Sequence, residues 1–148
     1  MFSWKMFGSF VVNGEPVPKA RPRFVRKTGR TYTPKKSADY ESKIRFAASG
    51  IVSEIQMGTI RLHAIFHFPV RKSWSNAKRK SRVNREHQIR PDLDNLVKAV
   101  SDGLNGVAYA DDQQIAVIEA KKFWSVMGRT EIQIYVRDYE DNENSRNT

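Results

Sequence analysis

The stretch IRLHAIFHF, residues 60–68, constrains the fold more than any other part of the sequence. Its side chains alternate with the period of two that is typical of a β-strand. The apolar face carries Ile60, Leu62, Ala64, Phe66 and Phe68, and the other face carries Arg61, His63, Ile65 and His67. His63 and His67 lie roughly 13 Å apart on such a strand, too far to share one metal ion. We interpret them as half-buried residues of the sheet.

Two helices are predicted on either side of this strand. Thr33-Pro34 indicates a helix start, with Thr as the cap and Pro in the first turn. Apolar residues recur at helical spacing up to Ile55, and Gly58 is the expected stop. A second amphipathic helix is predicted over residues 94–105.

Further strands are predicted over 7–12, 115–124 and 130–137, the last two joined as a hairpin by the Met127-Gly128 turn. Strands that alternate with helices indicate the α/β (α+β) class. We therefore expect a single domain over residues 1–138, with a mixed β-sheet packed by two main helices. The polar stretch 139–148 is expected to be a disordered tail.

The charge of the chain points to its partner. The 148 residues include 26 Lys and Arg against 16 Asp and Glu, a formal net charge of +10, and no Cys. A positive charge of this size suggests a polyanionic partner, with nucleic acid as the first candidate. The absence of Cys excludes disulfides and thiolate metal sites. No apolar run approaches the ~18 residues that span a bilayer, so no membrane association is expected. The missing secretory signal favours a cytoplasmic location.

Basic residues concentrate in two blocks, 19–45 and 71–90. The first combines Arg21 and Arg23 with Phe24 and Tyr32, as a phosphate-binding groove with stacking surfaces would, although these aromatic residues would also suit a loop packed on the core. The second block lacks an apolar period. We interpret 71–90 as a long, flexible basic loop with a short helix near 75–82, in which His87 could contact phosphate.

The window 92–112 reverses the sign of the charge, with five Asp residues and one Lys. Asp92 and Asp94 at the entrance of the second helix can face one ligand. Lys98 is four residues from both Asp94 and Asp102, so it could reach either carboxylate. After a short loop, Asp111 or Asp112 could complete a cluster of three carboxylates if the following strand packs near the helix start.

Clustered carboxylates need protons or a metal ion to neutralise them. Oxygen ligands without Cys suit Mg²⁺, with Mn²⁺ as an alternative. In a protein that attracts phosphate backbones, such an ion could activate water for phosphodiester cleavage. The competing interpretation is structural: Asp94 as a helix cap, Lys98 as a surface ion-pair partner, and Asp111-Asp112 as turn residues.

The stretch RPDLDNLVKAVSDGLNGVAYADDQQI resembles the central motif of the RusA family of Holliday-junction resolvases, especially its phage-type members. GEPVPKARPRF, GRTYTPKK and IEAKKFW extend the resemblance over most of residues 10–136. The family consists of small homodimeric Mg²⁺-dependent endonucleases that act in recombination and repair. They bind four-way DNA junctions and cut two opposed strands symmetrically.

The resemblance implies site residues in this sequence. Asp92, Asp94 and Asp112 are implied as metal-binding, catalytic carboxylates and Lys98 as the essential lysine, while Asp111 could replace Asp112 because the preceding loop is about one residue short. We predict DNA contacts from eight basic residues: Lys19, Arg21, Arg23, Arg79, Lys80, Arg82, Arg90 and Lys122.

Two other classes of function compete with a nuclease. One is a non-catalytic nucleic-acid-binding protein in which the Asp residues only cap helices. The other is a sugar-nucleotide transferase with DLD, residues 92–94, as its metal-binding motif. The chain has no Gly-rich phosphate loop, which weakens the transferase interpretation.

Overall fold

The computed structural model describes residues 3–138, so the predicted tail over 139–148 lies outside the described residues. The strands are β1 (Lys5–Asn13), β2 (Arg23–Val25), β3 (Arg30–Tyr32), β4 (Thr59–Pro69), β5 (Ile115–Ser125) and β6 (Arg129–Arg137). The helices are α1 (Lys35–Ile51), α2 (Asn76–Arg82) and α3 (Leu93–Leu104), and a 3₁₀ turn spans Asp112–Gln114. None of these helices is long and apolar enough to cross a membrane.

The main sheet has the strand order β1-β6-β4-β5. β4 pairs antiparallel with β6 and parallel with β5, and β1 pairs antiparallel with β6. The predicted hairpin between 115–124 and 130–137 is therefore wrong, because β4 lies between these two strands. Sequence proximity favoured the hairpin, whereas β4, one face of which is almost completely buried, takes an interior position with a paired strand on each side.

The predicted alternation of β4 is confirmed, and it determines where the core lies. Its apolar face is almost completely buried against α1 and α3, which both pack on the same side of the sheet. His63 and His67 lie on the opposite face and are partly buried, as expected for sheet residues. The α+β class, the mixed sheet and the two main helices are confirmed.

Helix α1 differs from its prediction at both ends. Pro34, not Thr33, occupies the cap position with an extended backbone, and no side chain caps the helix. Because the backbone of Pro34 is extended, with ψ 138°, Lys35 is the first helical residue, one position later than predicted. The helix stops at Ile51 rather than near Gly58. Ile51 and Ile55 are 52% and 47% exposed, so no core contact extends the helix to residue 58.

Both basic blocks contain more regular structure than the sequence indicated. Residues 23–32 form the β2–β3 hairpin, a separate two-stranded sheet. In the second block, α2 over Asn76–Arg82 matches the predicted short helix, and the Ser75 side chain accepts a hydrogen bond from the Lys78 amide, 3.2 Å long, as its cap. The flexibility assigned to 71–90 stays a prediction.

Candidate active site

Helix α3 is the platform of the site. Its inner face is buried through Leu96, Val100 and Leu104, and its first turn follows Asp92, whose carbonyl accepts a hydrogen bond from the Leu96 amide at 3.2 Å. A groove of about 750 Å³ runs between the outer face of α3 and β5. It is lined by Leu93, Asp94, Val97, Lys98, Ser101, Ile118 and Ala120.

Charged side chains alternate in sign across α3 and its neighbours. Lys98 Nζ lies 3.1 Å from Asp102 Oδ1 and 3.3 Å from Asp112 Oδ2. Lys19 Nζ lies 3.1 Å from Asp102 Oδ2 and 2.6 Å from Glu41 Oε1. The series Glu41, Lys19, Asp102, Lys98 and Asp112 thus links α1, the N-terminal loop, α3 and the 3₁₀ turn.

Hydrogen bonds within this series shift the pKa of Lys98, Lys19 and Asp112. Hydrogen bonds to Asp102 and Asp112 raise the pKa of Lys98, so its ammonium form is favoured. Burial opposes the charge of Lys19, but its hydrogen bonds to Glu41 and Asp102 outweigh burial and raise the pKa. Side-chain hydrogen bonds with Asp111 and with the Lys98 ammonium lower the pKa of Asp112. Asp112 is therefore a carboxylate and Lys98 a cation at neutral pH.

The 3₁₀ turn separates the roles of Asp111 and Asp112. The Asp111 amide donates to Gln114 Oε1 at 2.9 Å, and Gln114 Nε2 donates to the carbonyls of Gln56 and Gly58. Gln114 thereby ties the turn to the chain ahead of β4. Asp112 alone of the acidic pair forms an ion pair with Lys98.

The structure corrects one predicted contact of Lys98. Its ammonium group reaches Asp102 and Asp112, not Asp94. Asp94 Oδ1 instead accepts a hydrogen bond from the adjacent amide of Asn95 at 2.9 Å. Asp92, rather than Asp94, occupies the cap position of α3, and its side chain makes no capping bond. Both carboxylates are exposed.

Within residues 3–138, no three His, Asp or Glu side chains lie close enough to hold one ion. Lys98 forms ion pairs with Asp112 and Asp102, whereas Asp92 and Asp94 have no cationic partner in that range. The chemistry of the donors fits a hard cation, because Asp92, Asp94 and Asp112 offer only carboxylate oxygens. Their convergence on one ion stays a prediction.

The basic segment 71–91 is attached to the sheet by aromatic contacts. The Trp74 ring meets Trp124 of β5 edge-on at 4.9 Å, and the His87 ring lies 4.2 Å from Phe68 and 4.3 Å from Trp124. His87 is 4% exposed, which contradicts the suggested contact of its ring with phosphate. Burial lowers the pKa of His87 to about 4, and the positive charges of Lys122 and Arg71 add to this effect.

Three of the predicted DNA contacts have ammonium or guanidinium groups engaged within the protein. Lys19 pairs with Glu41 and Asp102. Arg79 Nε donates to the Arg71 carbonyl at 3.1 Å, and its Nη2 donates to the Lys72 carbonyl. Lys122 Nζ donates to the carbonyls of Ile89 and Pro91.

The other five predicted DNA contacts are at least partly exposed: Arg21, Arg23, Lys80 and Arg90 are exposed, and Arg82 is partly exposed. DNA contact by all eight stays a prediction.

Sequence reasoning missed Glu41 and Gln114 as part of this region. Glu41 lies on α1, far from the acidic window in sequence, and nothing near it indicates its partner. Gln114 carried a signal: it is three residues after Asp111, the spacing at which a Gln side chain can bond back to the amide of a helix-capping residue.

Comparison with known proteins shows the family of the chain. The family model described as Endodeoxyribonuclease RusA matches residues 13–135, which include the whole site and most of the sheet. The chain belongs to the RusA endodeoxyribonuclease family. A relative from Bacillus subtilis (strain 168), "Uncharacterized protein YqaN", is 35% identical over 132 residues, covering 84% of this chain and 93% of that protein. The RusA resemblance stated from the sequence is thus confirmed, and with it nuclease chemistry.

Proposed function

We propose that the protein is an Mg²⁺-dependent, structure-selective endonuclease that resolves Holliday junctions by paired symmetric phosphodiester cleavage. One observation carries the proposal: the RusA match covers an exposed carboxylate and lysine array beside a groove. The reaction is hydrolytic, and the family is one of Holliday-junction resolvases.

Asp92, Asp94 and Asp112 are the proposed metal ligands. Asp112 is preferred to Asp111 because Asp112 contacts Lys98 on the side of α3 that faces the groove. A bound Mg²⁺ would polarise the scissile phosphate and acidify a water molecule. Lys98 lies 3.3 Å from Asp112 and presents a cation beside the carboxylates, where negative charge builds during phosphodiester hydrolysis.

The proposed DNA surface combines the β2–β3 hairpin with α2. Phe24, 63% exposed, and Tyr32, 49% exposed, stand among the basic residues of the hairpin as stacking surfaces. Lys80, Arg82 and Arg90 extend the positive charge from α2 towards Asp92. Phosphate contacts of this kind hold any duplex, so the preference for a junction comes from its shape.

We propose a homodimer as the active form. A four-way junction has two equivalent strands to cut, and two sites related by a two-fold axis match that symmetry. One monomer carries a single copy of the acidic array, so paired cleavage requires a second copy.

A labelled four-way junction tests the proposal. We expect paired nicks in opposed strands with Mg²⁺, no nicks with a chelator, and no nicks in a duplex of the same sequence. Binding without nicks across Mg²⁺ and Mn²⁺ concentrations would support the non-catalytic alternative. Equal cleavage of junction and duplex would leave a nuclease without structure selectivity.

A further inference from the structure

The chain just before the site is attached to the outer edge of β5. The Asn84 amide donates to the Trp124 carbonyl at 2.8 Å, the Trp124 amide to the Arg85 carbonyl at 2.9 Å, and the His87 amide to the Lys122 carbonyl at 2.9 Å. These bonds form a short antiparallel bridge between Glu86 and Phe123. Residues 84–87 therefore continue the sheet past β5.

Lys122 extends this attachment beyond the bridge through its side chain. Its ammonium donates to the Ile89 carbonyl at 2.6 Å and to the Pro91 carbonyl at 2.7 Å. The backbone carbonyl of Lys122 also accepts a hydrogen bond from the His87 amide, so this one residue binds the chain at positions 87, 89 and 91. Hydrogen bonds from a charged donor are stronger than neutral ones, so Lys122 is the main restraint on residues 88–91.

Asp92 is the next residue, and α3 restrains its backbone as well, because the Asp92 carbonyl accepts a hydrogen bond from the Leu96 amide. No cationic side chain within residues 3–138 forms an ion pair with Asp92. The backbone of Asp92, restrained between the Pro91 carbonyl and α3, therefore sets the Cα–Cβ direction from which its carboxylate extends.

We propose that Lys122 is a positioning residue that aims the Asp92 carboxylate, rather than a contact to DNA phosphate. The proposal rests on the proposed function, in which Asp92 is a metal ligand. Two of the three N–H groups of the Lys122 ammonium donate to carbonyls, so binding a phosphate would compete with these bonds, whereas the exposed neighbour Lys121 has no such partners in the described range.

The test compares Lys122→Met, which keeps the aliphatic stem, with Lys121→Met as the matched control and Lys122→Arg as the variant that restores a cationic donor. We expect Lys122→Met to lower the single-turnover cleavage rate at saturating protein at least about tenfold, because small misplacement of a reacting group is costly. Junction affinity and its salt dependence should stay within about twofold of wild type, as expected when no phosphate contact is lost. Lys122→Arg should recover part of the rate, and Lys121→Met should keep the full rate.

An unchanged rate at saturation, with weaker binding and a shallower salt dependence in Lys122→Met, would overturn the proposal and make Lys122 a phosphate contact. Hydrogen exchange on the uncut protein gives a second readout. Faster exchange at residues 87–96 in Lys122→Met, but not in Lys121→Met, supports positioning, and unchanged exchange contradicts it. If wild type cuts no junction, that result refutes the proposed function alone. Hydrogen exchange then still decides whether Lys122 restrains residues 87–96. If Lys122→Met does not fold, a smaller but measurable loss of rate with faster exchange at residues 87–96 in Lys122→Arg supports positioning, and wild-type values of both contradict it.

Discussion

The acidic site on α3 and the basic segment 71–91 hold their charges in different ways. At the site, Lys19 and Lys98 are each bound by two carboxylates. In the basic segment, the attachments to the sheet are aromatic rings and backbone bonds, centred on Trp74 and His87. The cations of the site are thus already paired with carboxylates, whereas Lys80, Arg82 and Arg90 of the segment have no carboxylate partner within residues 3–138.

This difference separates chemistry from affinity. Changes at α3 should alter the cleavage rate and leave binding nearly intact, because both lysines there are already paired with carboxylates. Changes on α2 should alter binding and its salt dependence, because each exposed cation that meets a phosphate releases counterions. The predictions below test that separation, from the largest expected effect to the smallest.

Asp94→Asn should reduce the cleavage rate at least about a hundredfold, on the scale of losing one catalytic polar group. Junction affinity should be kept or increased, because a negative charge near phosphate is removed. The measurement is single-turnover cleavage alongside a binding titration. The matched control is Asp39→Asn on α1, an exposed aspartate outside the site, which should cut like wild type. Retained cleavage in Asp94→Asn would refute the assignment of Asp94.

Lys98→Ala should lower the cleavage rate about tenfold or more, with a smaller loss of affinity, because its ammonium contacts Asp112 and lies beside the groove, where it can offset charge that builds on the phosphate. The rate at saturating protein and the dissociation constant are measured separately. A loss confined to affinity would identify Lys98 as a phosphate contact, so that it would belong to the DNA-binding surface and not to the active site.

The double variant Lys80→Ala/Arg82→Ala should weaken binding and lower the slope of log K against log salt by about 0.9 for each lost phosphate contact. The rate at saturation should be unchanged. Arg79→Ala is the matched control from the same helix, because its guanidinium is bonded to the carbonyls of Arg71 and Lys72. It should change the salt slope less. An equal slope change in both variants would remove the distinction between engaged and exposed cations.

The pH dependence of stability should report the burial of His87. Its pKa is about 4 in the fold and about 6.5 when unfolded, so between these values the unfolded chain binds a proton that the folded one does not. His87 therefore destabilises the fold progressively as the pH falls from about 6.5 to 4, by at most about 1.4 kcal/mol per pH unit. Urea unfolding of wild type and His87→Phe should show a smaller decline in the variant. Parallel declines would contradict this reading.

The sequence predicted local elements well and their assembly less well. The alternation in 60–68 and the periodicity of 94–105 identify β4 and α3 because each depends only on which face is apolar. The pairing of β4 with β5 and β6 joins strands that are far apart in the sequence, and no local pattern encodes it. The 84–87 bridge was missed for the same reason, since its partners on β5 lie some 35 residues away.

For the candidate site, the sequence identified the residue types but not several of the ion-pair and hydrogen-bond partners. Asp92, Asp94 and Lys98 stand in one helical motif, so their common location follows from the sequence. The link from Lys98 to Asp112 depends on the 3₁₀ turn that Gln114 secures, and the link from Lys19 to Asp102 depends on how the N-terminal loop crosses α3. Arg79 and Lys122 look like phosphate contacts by composition, although both donate to backbone carbonyls.

Anomalous diffraction from a crystal of the protein soaked in Mn²⁺ tests the central claim most directly, because it locates the cation without relying on activity. The account predicts a peak bounded by carboxylate oxygens of Asp94 and Asp112, with Asp92 on the same ion, and its loss in Asp94→Asn. An Mn²⁺ peak elsewhere on the molecule, or none beside α3 at a concentration that supports cleavage in solution, would contradict it.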